Sequence, residues 1–423
     1  MAIELTEGHA MIDITFIVRS LVFFLLTALG VILVTRRLAV PYTLGLVVVG
    51  LLFSLFGILP EARLTPPLVL FVFLPALLFE GTWTMQFSRL RENWLAIFLL
   101  AGPGLLLSLV MIATILHVAD GLAWSTAFLL AAILSPTDPV AVLGLFRQLR
   151  VNERLSTIIE GESLFNDGVA GSLYQTFLSL VLLSLHGETP SGLQGWLAGA
   201  GLFIVEAGGG IVLGLCCGWG VSVLVKYIDD PLVETTITII VAYGVYLLAD
   251  TLHLSAIMAV IVAGLVVGNY GRSVGMSEQT LAAVDSFWST IAFVANALIF
   301  LLVGIQLNPL SLISNPATSG PTLLIAALAV GVVLLARLVL VLLLSAQSRV
   351  RLFPAPIPHA WSLIIFWSGL RGALSLALVL AIPLEVPNRS VLVVSTYAVI
   401  LFTLLIQGFS LRGILKRLPG VSQ

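Results

Sequence analysis

Two carboxylates lie in a short polar motif inside a segment that is otherwise apolar enough to be a membrane span. The motif GESLFNDGVA occupies residues 161–170 and contains Glu162 and Asp167. An ionisable side chain at this depth costs at least about 2.5 kcal/mol even on insertion scales, so its usual explanation is a functional site. A third acid, Asp138, lies in SPTDP of the preceding segment, and Arg371 lies in GLRGA far along the chain. Such acids can hold a metal cation or a proton, and one fixed positive partner completes what a proton-coupled cation transporter needs.

Helical spacing divides the motif into two faces. Ser163, Asn166 and Asp167 follow an i, i+3, i+4 pattern, so they share one face of a helix and can converge on one small ion. Glu162 lies five residues before Asp167, about 140° around the axis, which favours a partner on another helix. We therefore predict one ion-binding face and a separate, structural ion pair between Glu162 and Arg371.

Two prolines interrupt the preceding apolar segment. Pro136 and Pro139 each remove a helical hydrogen bond. The break frees backbone carbonyls near Thr137, which is tolerated at membrane depth only in protein or beside a water-filled cavity. Hard cations take oxygen ligands, which such freed carbonyls can supply. Asp138 has two possible roles: it is a ligand, or it orients water or Asn166.

The composition identifies a polytopic membrane protein with an all-α fold. Of 423 residues, 59% are hydrophobic and 9% are charged, and the mean hydropathy is +1.14. Apolar stretches long enough to cross about 30 Å of hydrocarbon recur from end to end. We expect thirteen transmembrane helices, near 13–34, 39–59, 67–86, 94–116, 122–146, 156–185, 196–225, 232–250, 254–270, 284–306, 321–345, 360–382 and 391–411.

The basic residues support this count. Of the 19 Lys and Arg residues, 14 follow odd-numbered spans and only Arg63 and Arg389 lie in the other connections. The remaining three, Arg19, Arg337 and Arg371, lie within spans. By the positive-inside rule the N-terminus is outside and the C-terminus is cytoplasmic. The acidic N-terminal segment lacks a basic leader region, so we expect a retained span. These features predict a multi-pass protein of the cell (inner) membrane.

The interrupted helices hold matching positions. Prolines break the fifth span, whereas Gly369 and Gly372 break the twelfth. Each break is fifth in its half if six spans, one linker and six more are counted, and the halves then have inverted topology. Broken helices in matching positions indicate a transporter site near the membrane midplane. The predicted organisation is a first six-helix repeat at 1–186, a linker helix at 187–230, a second repeat at 231–415 and a short cytoplasmic tail at 416–423.

The linker helix carries glycines at four-residue spacing. Gly210, Gly214 and Gly218 leave one side of this helix without side chains. Small residues at this spacing allow two helix backbones to approach closely. We therefore expect these glycines to form a helix-packing surface.

Four motifs make the chain similar to a known family. SPTDPVAV, GESLFNDG, GLRGALSL and FLPALLFEG resemble those of NhaP-type sodium/proton antiporters, the prokaryotic relatives of animal sodium/proton exchangers. The resemblance covers essentially the whole membrane domain, with the motifs in order on the expected spans. Ala76 departs from it, because a second proline is common at that position.

The resemblance implies a homodimer in which each protomer combines a scaffold part with a moving core of six helices. It implies that Asp167 is the essential acid that exchanges cation and proton. It further assigns Ser163, Thr137 and Glu80 as accessory sodium ligands, Asp138 and Asn166 as their supporting network, and Glu162–Arg371 as an internal salt bridge. An Asn-Asp pair is typical of the electroneutral branch, which exchanges one cation for one proton.

These observations predict a sodium/proton antiporter that serves pH homeostasis and is not an enzyme. Its substrates would be Na⁺ (or Li⁺ or K⁺) and H⁺. The protein would lie in the lipid bilayer, and it would bind neither a cofactor nor nucleic acid. Potassium/proton exchange remains the main alternative, because selectivity depends on ligand number and cavity size. An intramembrane aspartyl protease could use Asp138 and Asp167, but the chain lacks the GxGD signature of those proteases.

Three further ionisable residues have no settled role. Glu160 either draws cations into a funnel or is an exposed acid at a helix start. Arg337 either lines the core or extends to the inner headgroups. Glu206 is expected to make an interhelical contact or to lie in a wet crevice rather than to take part in transport.

Overall fold

The computed structural model describes residues 14–38, 40–58, 65–185, 187, 193–307, 320–347 and 357–418. Within these ranges the chain is helical and contains no β-strand, so the predicted all-α fold is confirmed. Residues 1–13, the predicted repeat boundary at 186 and 188–192, and residues 419–423 of the predicted tail lie outside the described residues. The division into two repeats, a linker and a tail stays a prediction.

Helices lie at the positions of all the predicted spans. In chain order they are α1 (Ile14–Leu38), α2 (Tyr42–Leu55), α3 (Leu68–Thr84), α4 (Phe87–Asp120), the half-helices α5a (Trp124–Leu134) and α5b (Val140–Leu149), α6 (Glu153–Leu185), α7 (Leu193–Val225), α8 (Pro231–Thr251), α9 (Ala256–Val274), α10 (Glu278–Gln306), α11 (Gly320–Gln347), the half-helices α12a (His359–Trp367) and α12b (Ala373–Leu380), and α13 (Arg389–Arg417). Among the described residues, nine helices are long and apolar enough to cross a membrane, and shorter apolar helices hold the other positions. The chain is a multi-pass membrane protein, while the count of thirteen spans stays a prediction.

Helix α4 is longer than its apolar stretch indicates. It begins at Phe87 rather than near residue 94, and its first turns are charged. Arg89 Nη1 of these turns binds Glu153 Oε2 at the start of α6 at 2.9 Å. Arginine and glutamate are good helix formers, although they lower the hydropathy that marks a span. Apolar length therefore underestimates a helix that continues beyond the membrane core.

Both predicted interruptions are present. Helix α5 is broken over residues 135–139 and helix α12 over residues 368–372. The two broken segments lie against each other, since the Asp138 N–H donates to the Leu370 carbonyl oxygen at 2.8 Å. The interruptions therefore meet at one place in the fold, next to α6.

The predicted glycine surface packs α7 against α9. A Cβ added to Gly210, Gly214 and Gly218 would lie 2.6, 2.4 and 3.0 Å from the carbonyl oxygens of Ser255, Ala259 and Ala263, respectively. The backbone of α7 therefore rests directly on that of α9. Because α9 also contacts α6, this glycine seam supports the helix that carries the acidic motif.

We expect Gly214→Ala to lower the free energy of unfolding by about 1–3 kcal/mol, because the new methyl group overlaps a backbone carbonyl. Gly220→Ala is the matched control, since Gly220 lies on the same helix with nothing within 4 Å of an added Cβ. Alanine in a helix is favoured over glycine by about 0.5–1 kcal/mol, so the control should be neutral or stabilising. Thermal unfolding of the purified variants measures both. Wild-type stability of Gly214→Ala would show that the seam is not tightly packed.

Candidate functional site

A main cavity of about 540 Å³ lies beside the break of α5. Its lining contains five of the predicted site residues, namely Glu80, Thr137, Asp138, Ser163 and Asp167. It also contains Arg36 and Arg147, which belong to the last turns of α1 and α5b. The main cavity therefore extends from the helix break to the ends of the surrounding helices.

Asp167 presents an available carboxylate to this cavity. Its side chain is partly exposed on α6, and none of the described residues donates a hydrogen bond to it. The charges that act on it most strongly are those of Asp138 and Arg371. A deep carboxylate without a protein partner is suited to binding a cation or a proton.

Asn166 holds the broken segment instead of facing the cavity. Its Nδ2 donates to Thr137 Oγ1 at 2.8 Å, and its Oδ1 accepts from the Thr137 N–H at 3.4 Å. Ser163 Oγ donates to the Thr137 carbonyl oxygen, the predicted freed carbonyl. These bonds fix three oxygen atoms of Ser163 and Thr137 beside Asp167. They give Asn166 a positioning contact rather than a ligand contact.

Asp138 caps both half-helices that follow the breaks. Its Oδ1 accepts the N–H of Val140, the first residue of α5b, at 3.0 Å. The N–H of Ala373, the first residue of α12b, also interacts with this carboxylate. Helix N-termini carry unpaired N–H groups and partial positive charge, which a carboxylate stabilises. Capping is a third role for Asp138, beside the two that the sequence left open, and those two stay predictions.

Gly372 is required by this arrangement. A Cβ added to Gly372 would lie 1.9 Å from Asp138 Oδ2. No side chain fits between the two breaks at this point. The glycine of the GLRGA motif thus allows the carboxylate to reach the start of α12b.

The prediction that Glu162 pairs directly with Arg371 is wrong. Glu162 binds Arg337 of α11 through two parallel bonds: Arg337 Nη1 donates to Oε1, and Arg337 Nη2 donates to Oε2 at 2.9 Å. Both side chains are buried, with 3% and 7% exposed. Helical spacing predicted the face of α6 on which Glu162 lies. It could not predict that α11 packs against that face. Arg337 therefore lines the core, which settles its alternative roles.

Arg371 instead binds the end of the first half-helix. Its side-chain Nη1 donates to the carbonyl oxygens of Ser135 and Pro136 at 2.9 and 3.0 Å. Its backbone N–H donates to Thr403 Oγ1 at 3.1 Å. Arg337 does the same at the other break, donating from Nε and Nη2 to the Ile365 carbonyl oxygen of α12a at 3.2 and 2.9 Å. Each guanidinium group thus satisfies carbonyls at the negative end of a half-helix.

The remaining acids fall into two groups. Glu80 and Glu160 both line the main cavity, and Glu80 lies within electrostatic reach of Glu160 and Arg147. Glu160 is therefore a cavity-lining residue and not an exposed acid at a helix start, and its effect on cations stays a prediction. Glu206 accepts a hydrogen bond from Thr176 of α6 at 3.0 Å, which is the interhelical contact expected for it. Thr403 and Arg147 were missed by the sequence reasoning, and no motif marks them.

Glu162 and Arg337 should show strong energetic coupling. We expect Glu162→Gln or Arg337→Met alone to cost about 3–5 kcal/mol, since each leaves a buried partner unpaired, and the double variant to cost far less than their sum. Thermal unfolding across this cycle measures the coupling. The matched cycle combines Glu162→Gln with Arg371→Met and should show weaker coupling. Stronger coupling to Arg371 would restore the pairing predicted from the sequence.

Known proteins resemble this chain along most of its length. The family model described as "Sodium/hydrogen exchanger, transmembrane" matches residues 23–417. The low-affinity Na⁺/H⁺ antiporter NhaS1 of Synechocystis sp. is 38% identical over 382 residues, which cover 90% of this chain and 70% of the relative. The Na⁺/H⁺ antiporter NhaH of Halobacillus dabanensis is 32% identical, and the match covers 94% of this chain and 97% of the relative.

A solved structure shows the same fold. The sodium proton antiporter MjNhaP1 from Methanocaldococcus jannaschii, solved at pH 8, matches with a TM-score of 0.75 at 21% identity. The match covers 96% of this chain and 99% of that one. Together with the family match along nearly the whole chain, these comparisons show that the protein belongs to the sodium/hydrogen exchanger family.

Proposed function

We propose that this protein is a sodium/proton antiporter in which Na⁺ and H⁺ compete for the Asp167 carboxylate. The observation that carries the proposal is the availability of this carboxylate, which faces the main cavity without a protein hydrogen bond from the described residues. The Na⁺/H⁺ antiporter names of the relatives support the same substrates. Ser163 and Thr137 supply the neighbouring oxygen atoms, and Glu80 leads cations from the cavity towards them.

The charges around the two breaks support exchange of one ion for another. Three carboxylates, those of Asp138, Glu162 and Asp167, lie among two guanidinium groups, those of Arg337 and Arg371. With all five ionised, one negative charge is left over. A single Na⁺ or a single H⁺ on Asp167 cancels it.

This charge balance gives a physical basis for coupling. Moving an uncompensated charge through a low-dielectric region is costly, whereas a neutral cluster moves at much lower cost. The loaded site therefore changes its exposure, and the site without a ligand does not. One Na⁺ then exchanges for one H⁺, so net transport is electroneutral, and no resident cofactor takes part.

The proposal extends to topology and assembly. Arg36 and Arg147 line the main cavity, and the positive-inside rule assigns their ends of α1 and α5b to the cytoplasm. The cavity then faces the cytoplasm, with the N-terminus outside and the C-terminus inside. The family resemblance supports a homodimer in the cell membrane that acts as a transporter and not as an enzyme.

We expect Asp167→Asn to reduce Na⁺-driven proton movement in proteoliposomes to background, because the amide can bind neither ion as a carboxylate does. Proton movement is followed with an internal pH-sensitive dye after a pulse of Na⁺, Li⁺ or K⁺. Glu206→Gln is the matched control, since it neutralises another acid outside the main cavity and should retain transport. Wild-type exchange by folded Asp167→Asn would exclude the proposed site, and a response to K⁺ above that to Na⁺ would favour potassium/proton exchange.

Competition at one carboxylate also fixes the pH dependence. Below the pH at which Asp167 is half protonated, the apparent KM for Na⁺ should rise about tenfold for each unit that pH falls, with the maximal rate unchanged. Above that pH the KM should level off. Initial rates over a grid of Na⁺ concentration and symmetric pH, with membrane potential clamped, measure this relation. A KM independent of pH would show that the two ions use separate sites.

A further inference from the structure

A second, much smaller cavity lies behind the proposed site. It measures about 20 Å³, and its polar lining consists of Ser108, Ser135, Glu162, Asn166, Arg337 and Arg371. Every residue that lines it is buried, including the leucines that complete its wall. We call this cavity the internal chamber.

The internal chamber and the main cavity share a wall. In three places one residue lines the internal chamber and the next residue lines the main cavity: Ser135–Pro136, Glu162–Ser163 and Asn166–Asp167. The wall is therefore only one residue thick along the broken segment and α6. A ligand in the internal chamber would therefore contact Ser135, Glu162 and Asn166, which precede residues of the main cavity in sequence.

Arg371, which lines this chamber, has donors without an acceptor. Its Nη1 is occupied by two carbonyl oxygens, but its Nε is fully buried without a hydrogen-bond acceptor. The described residues supply no acceptor for its Nη2 either, and the residue is only 4% exposed. A buried donor on a charged group without an acceptor is strongly destabilising. Of the two cavities, Arg371 lines the internal chamber and not the main cavity.

A matching hydroxyl lies across the internal chamber. Ser108 of α4 is 8% exposed, and its Oγ makes no hydrogen bond with the other described residues. The Glu162 carboxylate, already bound to Arg337, offers its remaining lone pairs to the same space. The chamber thus combines an unpaired donor, a free hydroxyl and an acceptor.

We propose that the internal chamber binds one ordered water molecule. This water accepts a hydrogen bond from the Arg371 guanidinium group and donates one to the Glu162 carboxylate. It makes a third hydrogen bond with the Ser108 hydroxyl, which can act as donor or acceptor. A buried water needs about 10–15 Å³ and two to four polar partners, and the chamber supplies both. It connects the guanidinium group that binds α5a to the ion pair that binds α12a, so the two breaks share one polar network.

The charges favour water over a small anion. The three carboxylates and two guanidinium groups around the breaks have no net charge when one Na⁺ or H⁺ is bound. A halide in the internal chamber would add a negative charge to that balanced cluster. A neutral ligand with both a donor and lone pairs satisfies Arg371 and Glu162 together.

A map of the full-length protein that resolves ordered water tests the proposal directly. We expect a single peak in the internal chamber about 2.7–3.2 Å from an Arg371 nitrogen and from Ser108 Oγ. A chamber without a peak would overturn the proposal. A second preparation with bromide replacing chloride separates the two ligands, since a peak that becomes stronger with bromide would identify a halide site and also overturn it.

Variants at Ser108 provide a test independent of transport. Ser108→Val fills the internal chamber and removes the hydroxyl, so we expect the peak to disappear and the melting temperature to fall by about 2 °C. Ser108→Ala keeps the space and two partners, so the peak should remain. Thr114→Val is the control, because it removes a hydroxyl from the same helix away from the chamber. A wild-type melting temperature for Ser108→Val would contradict a bound water that satisfies Arg371.

Discussion

The ends of two interrupted helices set the conditions for the rest of this structure. A helix broken inside a membrane exposes N–H groups on one side of the break and carbonyl oxygens on the other, without water to satisfy them. Here a carboxylate meets the N–H groups and two guanidinium groups meet the carbonyls. Asp138 lies at the starts of α5b and α12b, Arg371 at the end of α5a, and Arg337 at the end of α12a.

The other charges follow from these three. Arg337 is buried, so it requires a partner, and α6 supplies Glu162. That pair fixes the rotation of α6, and the opposite face of the same helix then directs Asp167 to the main cavity. Asp167 makes neither an ion pair nor a hydrogen bond with the described residues, whereas Asp138 and Glu162 are both held by such contacts. The carboxylate proposed to exchange ions is thus one that neither helix end engages.

The sequence predicted the parts that depend on local pattern. Hydropathy placed the helices, Pro136 and Pro139 placed one break, and helical spacing separated Asp167 and Ser163 from Glu162. These features need only the chain within a few residues. The family resemblance added Glu80, which no local pattern singles out and which the structure places in the main cavity.

The parts that depend on which helices are neighbours could not be predicted. The position of Glu162 around its helix was correct, but its partner is set by the packing of α11, so the motif residue Arg371 was chosen over Arg337. The capping role of Asp138 depends on Ala373, which lies more than two hundred residues away in sequence and which no local pattern places beside it. The start of α4 was missed because its charged first turns lower the hydropathy without ending the helix.

The thin partition between the two cavities has a mechanical consequence. Since adjacent residues face opposite sides of the same stretch of backbone, a displacement of that backbone alone that enlarges one cavity must shrink the other. A shift of the α5 break by a fraction of a water diameter would change the volume of the internal chamber by a larger proportion than that of the main cavity, because the chamber is much smaller. Movement of the shared wall together with the elements on both sides leaves the two volumes unchanged.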